Sequence, residues 1–175
     1  MIDALIGRTP VVRLERVVEP DSAEVWVKLE GMNPGSSIKD RPALAMVLDA
    51  EDKGLLTPGA TIVEPTSGNT GMGLALASAL KGYRTVFVMP DKMSEEKIAS
   101  LRAFGARVVV TPTNVEPEDP RSYYSVATQL AEETPGAVLA NQYHNPSNPK
   151  AHVLSTGPEI WEQTGGDLDA IVVAM

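Results

Sequence analysis

The stretch A60-T-I-V-E-P-T-S-G-N-T-G-M-G-L-A-L-A-S-A-L-K81 decides the fold. A β-rich run, ATIVE over 60–64, passes through a glycine-rich turn into a helix-compatible run from about Gly71 to Lys81. That is the strand–loop–helix unit of an α/β protein. The same alternation extends both ways. VVRL (11–14) and VWVKLE (25–30) read as strands separated by the turn-rich VEPDSAE, and helix-compatible sequence runs from Leu44 to Lys53 before Gly54 stops it. TVFVM (85–89) leads to a helix opened by Ser94, with Glu95 and Glu96 in its first turn, that closes near Gly105. RVVV (107–110), a helix over 122–133, AVLA (137–140), a helical region over 150–164 around Pro158, and the apolar run DAIVVAM (169–175) complete the chain. Apolar strands alternating with helices predict an α/β fold whose parallel sheet is covered on both faces.

Composition narrows the function classes. In 175 residues an apolar share of 43% supplies a core, and no apolar run approaches the ~18 residues of a spanning helix. Fifteen basic against twenty-three acidic residues leave a net charge of −8, which argues against nucleic acid or an anionic membrane as partner. There is no cysteine, hence no disulfide, thiolate metal site or cysteine nucleophile. The N-terminal MIDALIGRTP lacks the basic start and apolar stretch of a signal peptide. A soluble, cytoplasmic protein is expected, with chemistry carried by Lys, Ser, Thr, Asp, Glu, Tyr, two His or a borrowed cofactor.

The segment from Glu64 to Gly73 carries the strongest chemical signal. Its glycines let backbone N–H groups approach a ligand, and it ends on a helix N-terminus suited to an anion. Thr66, Ser67, Asn69 and Thr70 add short polar side chains. It is neither a P-loop nor the dinucleotide fingerprint, since its glycines fall as GxxGxG and no Gly-Lys-Ser/Thr follows. It contains no basic residue, so it fits a small carboxylate better than a triphosphate. An ordinary βα turn with a capping hydroxyl is the bland alternative; the density of glycine and hydroxyls favours an anion site.

Two more loops belong to the same question. G35-S-S-I-K-D-R-P42 places Lys39 at what reads as a helix start, with Ser36 and Ser37 as caps, where the helix field disfavours an ammonium group. An isolated lysine there is usually a solvated tail. N141-Q-Y-H-N-P-S-N-P149 leaves the C-terminal end of a strand and offers amides, a phenol and an imidazole. With parallel strands, the three loops can converge on one crevice. A lysine, a carboxylate cradle and no cysteine suggest covalent chemistry between an amine and an aldehyde cofactor. His144 and His152 stay outside the catalytic set, because a lone histidine is more often a surface or hydrogen-bonding residue.

IGRTPVVRL, NPGSSIKDR, EPTSGNTGMGLALA, VMPDKMSEEK and NQYHNPSNP together resemble the pyridoxal-phosphate-dependent cystathionine β-synthase and cysteine synthase family, in order and across essentially the whole chain. The resemblance implies the two-lobed fold type II, with pyridoxal 5'-phosphate as cofactor and a homodimer when complete. It implies that 38–148 form the smaller lobe, and that 1–37 and 149–175 belong to a larger lobe that continues into a second Gly-rich loop after DAIVVAM. That loop would cradle the cofactor phosphate, so the chain is expected to be part of a longer fold and inactive by itself. Lys39 would hold the cofactor and take the substrate's α-proton. Asn69 would contact the cofactor's phenolic oxygen. Thr66, Ser67, Thr70 and Gln142 would bind the amino-acid carboxylate, and Tyr143 would position a second substrate. Within the family, PDKMSEEK, TPTN (111–114) and NQYHNPSNP look more like cystathionine β-synthase, which joins L-serine to L-homocysteine. A cysteine synthase using O-acetylserine and sulfide is the alternative, and a non-catalytic amino-acid-binding module the third. The haem-binding extension of some cystathionine β-synthases needs a cysteine, so haem is not expected.

Overall fold

A computed structural model describes residues 2–173. The first two strands, β1 (Val11–Arg13) and β2 (Trp26–Lys28), pair antiparallel as a separate ribbon, with Val12 opposite Val27. Helix α1 (Asp40–Asp52) precedes β3 (Thr61–Pro65), and α2 (Asn69–Lys81) precedes β4 (Arg84–Pro90). Then come α3 (Glu95–Ala103), β5 (Arg107–Thr111), α4 (Tyr123–Glu133) and β6 (Ala137–Leu139). Strands β3 to β6 form one parallel sheet in the order β5-β4-β3-β6. The last helical stretch consists of α5 (Ser147–Ala151), a π-turn (His152–Thr156) and α6 (Gly157–Gln163). No helix among the described residues is long and apolar enough to cross a membrane.

The central strands β3 and β4 are buried on both faces, as their apolar runs require, while β5 and β6 at the edges are partly exposed. Ile62, Phe87 and Met89 pack with Ala43, Met46 and Val47 of α1, Leu74 of α2 and Leu101 of α3. Val63, Val86 and Val88 face the opposite way, onto Ala127, Val126 and Leu130 of α4. Alternate residues of one strand thus feed two cores.

Helix α1 crosses α2 at very short range. A Cβ built on Gly73 would lie 2.8 Å from the Ala43 Cβ and 2.9 Å from the carbonyl oxygen of Lys39. Only a residue without a side chain lets the two backbones approach this closely. The start of α1 is held from its other side by Arg41, which is 4% exposed. Its guanidinium donates to Glu30 at 2.8 Å and to both oxygens of Glu159 at 2.7 Å, tying α1 to the segment after β2 and to α6. These bonds from Arg41 hold the Glu159 carboxyl down at about 2.

Four sequence expectations change. Helix α1 begins at Asp40 rather than Leu44, with Lys39 as its N-cap residue, because Pro42 sits comfortably in a first turn. Ser36 does not cap it, having a φ of +63°; instead the Ser37 hydroxyl accepts the Lys39 N–H at 3.1 Å. The first two strands leave the parallel sheet for their own ribbon. The run DAIVVAM is not a strand over 169–173, where no described strand lies alongside, and Val172 is 97% exposed; residues 174–175 lie outside the described residues. The helical region around Pro158 is present and longer, with its π-turn just ahead of a proline that has no N–H for the ladder.

The crossing of α1 on α2 can be tested directly. Gly73→Ala should destabilise the protein by about 1–3 kcal/mol, the usual range for overpacking a tight contact. The check is the denaturant midpoint at unchanged slope. An unshifted midpoint would show that the helices separate without cost.

Candidate active site

The loops that leave β3 and β6 and the start of α1 meet at one edge of the parallel sheet. They enclose a cleft of about 270 Å³ lined by Lys39, Thr66, Ser67, Gly68, Asn69, Thr70, Gln142, Tyr143 and Lys97. All seven residues singled out from the sequence therefore face one space.

The β3–α2 loop is shaped by Thr66. Its buried hydroxyl oxygen accepts the N–H of Gly68 at 3.2 Å and of Gly71 at 3.1 Å, folding the chain back on itself. Gly68 has a φ of +152°, and a Cβ on Gly71 would come within 2.7 Å of the Thr66 methyl, so both positions favour glycine. Gly68 is the N-cap of α2 and offers no side-chain acceptor. The helix start keeps its partial positive charge for a ligand. Thr66 thus builds the cradle, while Ser67 and Asn69 are the exposed polar side chains on it.

Thr70 and Gln142 form a buried pair in which the Thr70 hydroxyl donates to Gln142 Oε1. They act as one unit, not as two independent donors. Gln142 is fixed at two further points. Its carbonyl accepts from Asn148 Nδ2 at 2.9 Å, and its N–H donates to Glu64 Oε1 at 3.3 Å. The preceding Asn141 has a φ of +50°, which turns the chain sharply as it leaves β6. Tyr143 is 63% exposed at the mouth of the cleft, its ring 6.2 Å from that of Tyr124, which stacks at 4.0 Å on Tyr123.

Two residues escaped the sequence reading. Lys97 reaches the cradle from the first turn of α3, and its Nζ would lie 3.5 Å from a Cβ on Gly68. The loop itself is uncharged, yet the cleft has a second cation. The signal was available, since α3 follows β4 and begins at the same sheet edge. Glu64 is fully buried at the end of β3, and burial pushes its carboxyl up to about 7. An acid inside an otherwise apolar strand was its sequence signal. Neither histidine lines the cleft: His144 borders an apolar pocket between α1 and β6, and His152 Nδ1 lies 2.9 Å from the Thr156 hydroxyl. No group of three or more His, Asp or Glu suited to a metal ion occurs among the described residues.

Known proteins share this architecture. The chain is 49% identical over 169 residues to cystathionine beta-synthase of Apis mellifera, covering 95% of this chain and 34% of that protein. It is 45% identical over 174 residues to cysteine synthase B of Escherichia coli (strain K12), covering 99% of this chain and 56% of the other. The crystal structure of O-ureido-L-serine synthase superposes with a TM-score of 0.88 at 46% identity, over 95% of this chain and 51% of that one. The chain thus spans between about a third and just over half the length of these relatives. Residues 2–175 match the family described as pyridoxal-phosphate dependent enzyme, and the chain belongs to that family, within its fold-type II cystathionine β-synthase and cysteine synthase branch.

Proposed function

We propose that the chain supplies the lysine and the carboxylate cradle of a pyridoxal-phosphate-dependent β-replacement enzyme acting on an activated L-serine, with sulfide as the acceptor. The observation that carries this reading is the convergence of Lys39, Asn69 and the Thr70–Gln142 pair on one cleft. The donor set fits the cofactor: an amine to hold its aldehyde, an amide for its phenolic oxygen, and a helix start for the carboxylate of the amino acid it carries. Residues 38–148 would form the smaller lobe of the complete enzyme.

When bound, pyridoxal phosphate supplies an aldehyde carbon and a ring that draws electrons from the substrate's α-carbon, so that one β-substituent leaves and another enters. Lys39 Nζ is the amine that would hold that aldehyde, and once freed by the incoming amino acid it would accept the α-proton and return it after the new substituent is in place. Ser67 and the first N–H groups of α2 orient the substrate carboxylate, which the helix field favours. Thr70 acts through Gln142 by fixing its amide. Asn69 would donate to the cofactor ring's oxygen, and Tyr143, at the mouth of the cleft, would screen the second substrate.

The sulfide reading draws on the cysteine synthase relative, which aligns along 99% of this chain. Cystathionine formation from L-serine and L-homocysteine is the second reading. It is supported by the 49% identity to the honeybee protein and by the PDKMSEEK and NQYHNPSNP segments.

Product analysis separates the two. The complete, cofactor-loaded enzyme is offered O-acetyl-L-serine or L-serine with sulfide or L-homocysteine. Cysteine from O-acetyl-L-serine should dominate; predominant cystathionine from L-serine would reverse the assignment. In the same assay Lys39→Ala should abolish nearly all turnover, and Lys39→Arg should fail too, because a guanidinium cannot be deprotonated to act as amine or base. Wild-type rates from Lys39→Ala would remove it from the mechanism. Ser67→Ala should weaken substrate binding by about 1.5–3 kcal/mol, the value of one hydrogen bond to a charged group, while leaving the cofactor bound. Asn69→Ala should instead shift the cofactor absorbance. Cofactor loss from Ser67→Ala with unchanged substrate affinity would mean the loop holds the other ligand.

A further inference from the structure

Glu64 is a carboxyl group placed where an apolar residue would pack at no electrostatic penalty. It is 0% exposed, on the same face of β3 as Ile62, with Phe87 as its neighbour on β4. Oε1 accepts the Gln142 N–H at 3.3 Å, the Asn141 N–H and the Gln142 amide lean on the same carboxyl, and Oε2 has no partner. A buried ionised carboxylate with an unpartnered oxygen is strongly disfavoured against the neutral acid.

The surroundings supply no compensating cation. β4 contributes Phe87 and Met89 on this face, and α1 contributes Met46 and Val47. At the start of α1, Asp40 turns its carboxylate to the Gly35 N–H. Lys39 and Lys97 line the cleft, but neither pairs with Glu64. Tyr143, from the loop after β6, has its hydroxyl raised by burial and by Tyr124, with Glu64 the smallest of the causes. His152 lies in the π-turn, against Thr156. Gln142, whose backbone N–H donates to Glu64, also accepts the Thr70 hydroxyl on its side-chain oxygen, which links Glu64 to the start of α2.

We propose that Glu64 is a positioning residue for the carboxylate side of the cleft, acting through Gln142, and that it takes up a proton when a carboxylate ligand binds. This rests on the cradle binding carboxylates, as set out above. The physical reason is direct: a second negative charge brought to the Gln142–Thr70 pair penalises an ionised Glu64 close by, whereas the neutral acid leaves Gln142 free to serve the ligand. Because burial places the Glu64 carboxyl at about 7 before any ligand arrives, the coupling falls near neutral pH.

The probe is 3-hydroxypropionate, which carries serine's carboxylate and hydroxyl but no amine to react with the cofactor. Its affinity for the complete, cofactor-loaded enzyme is measured by NMR titration from pH 5.5 to 9. Proton uptake is read by calorimetry in two buffers of different ionisation enthalpy. Affinity should be flat below pH 7 and fall by up to about tenfold per pH unit above it, with uptake approaching one proton near pH 8. Glu64→Gln, which keeps an acceptor for the Gln142 N–H without the charge, should bind with a flat profile and no uptake. Glu64→Ala should also show a flat profile without uptake, but bind more weakly than Glu64→Gln because the Gln142 N–H has lost its acceptor. Wild-type binding at pH 8 without proton uptake, or the same profile in Glu64→Gln, would overturn the proposal while leaving the cradle intact. No binding at any pH would overturn the cradle reading and this inference with it.

Discussion

The contact at Gly73 governs how the rest of the site is assembled. Because that residue has no side chain, α1 settles on α2 with the Lys39 carbonyl only 2.9 Å from where a Cβ would stand. Lys39 is the N-cap of α1 and the glycine-rich loop leads into α2, so a wider crossing would carry the Lys39 amine away from that loop. Arg41, two residues on, fixes the same helix start from behind through Glu30 and Glu159. Burying a guanidinium requires paired carboxylates on both sides, and that requirement ties α1 into position against α6.

Parallel topology does the remaining gathering. In the order β5-β4-β3-β6 every strand points the same way, so the loops after β3, β4 and β6 emerge at one edge. From these come the cradle, the α3 lysine Lys97, and Gln142 with Tyr143. Apolar strands can bury both faces only if their polar work is done at the ends, which leaves Glu64 at the end of β3 as the exception that marks the site from below.

Much of this was legible in one dimension. The β-rich runs 60–64, 85–89 and 107–110, each followed by a helix-compatible segment, announce a parallel sheet without knowledge of any contact. Thr66, Ser67, Asn69, Thr70, Gln142 and Tyr143 could be grouped because they sit on loops that parallel strands bring together, whereas Lys39, at the start of α1, joined them through the family resemblance. What stayed hidden depended on partners distant in sequence. Whether Val11–Arg13 joins the sheet or pairs with Trp26–Lys28 is decided by strand pairing, not by β-propensity. The run at 169–173 has strand composition, yet a strand exists only when another lies beside it. Lys97 looked like an exposed lysine of an acidic helix start, and only its reach across Gly68 gives it a place in the cleft. The choice between sulfide and homocysteine turns on the acceptor's binding surface, which short motifs describe poorly.

The most direct measurement of the central claim is reductive trapping. The complete enzyme is loaded with one equivalent of pyridoxal phosphate, reduced with borohydride and digested, and the labelled peptide is identified by mass spectrometry. Seven lysines of this chain alone compete for the aldehyde. If the Gly73 contact has brought the working amine to the cradle, the label resides on Lys39 alone at close to one per chain. Label on Lys97, or spread over the surface lysines with Lys39 unmodified, would contradict the assignment of this cleft.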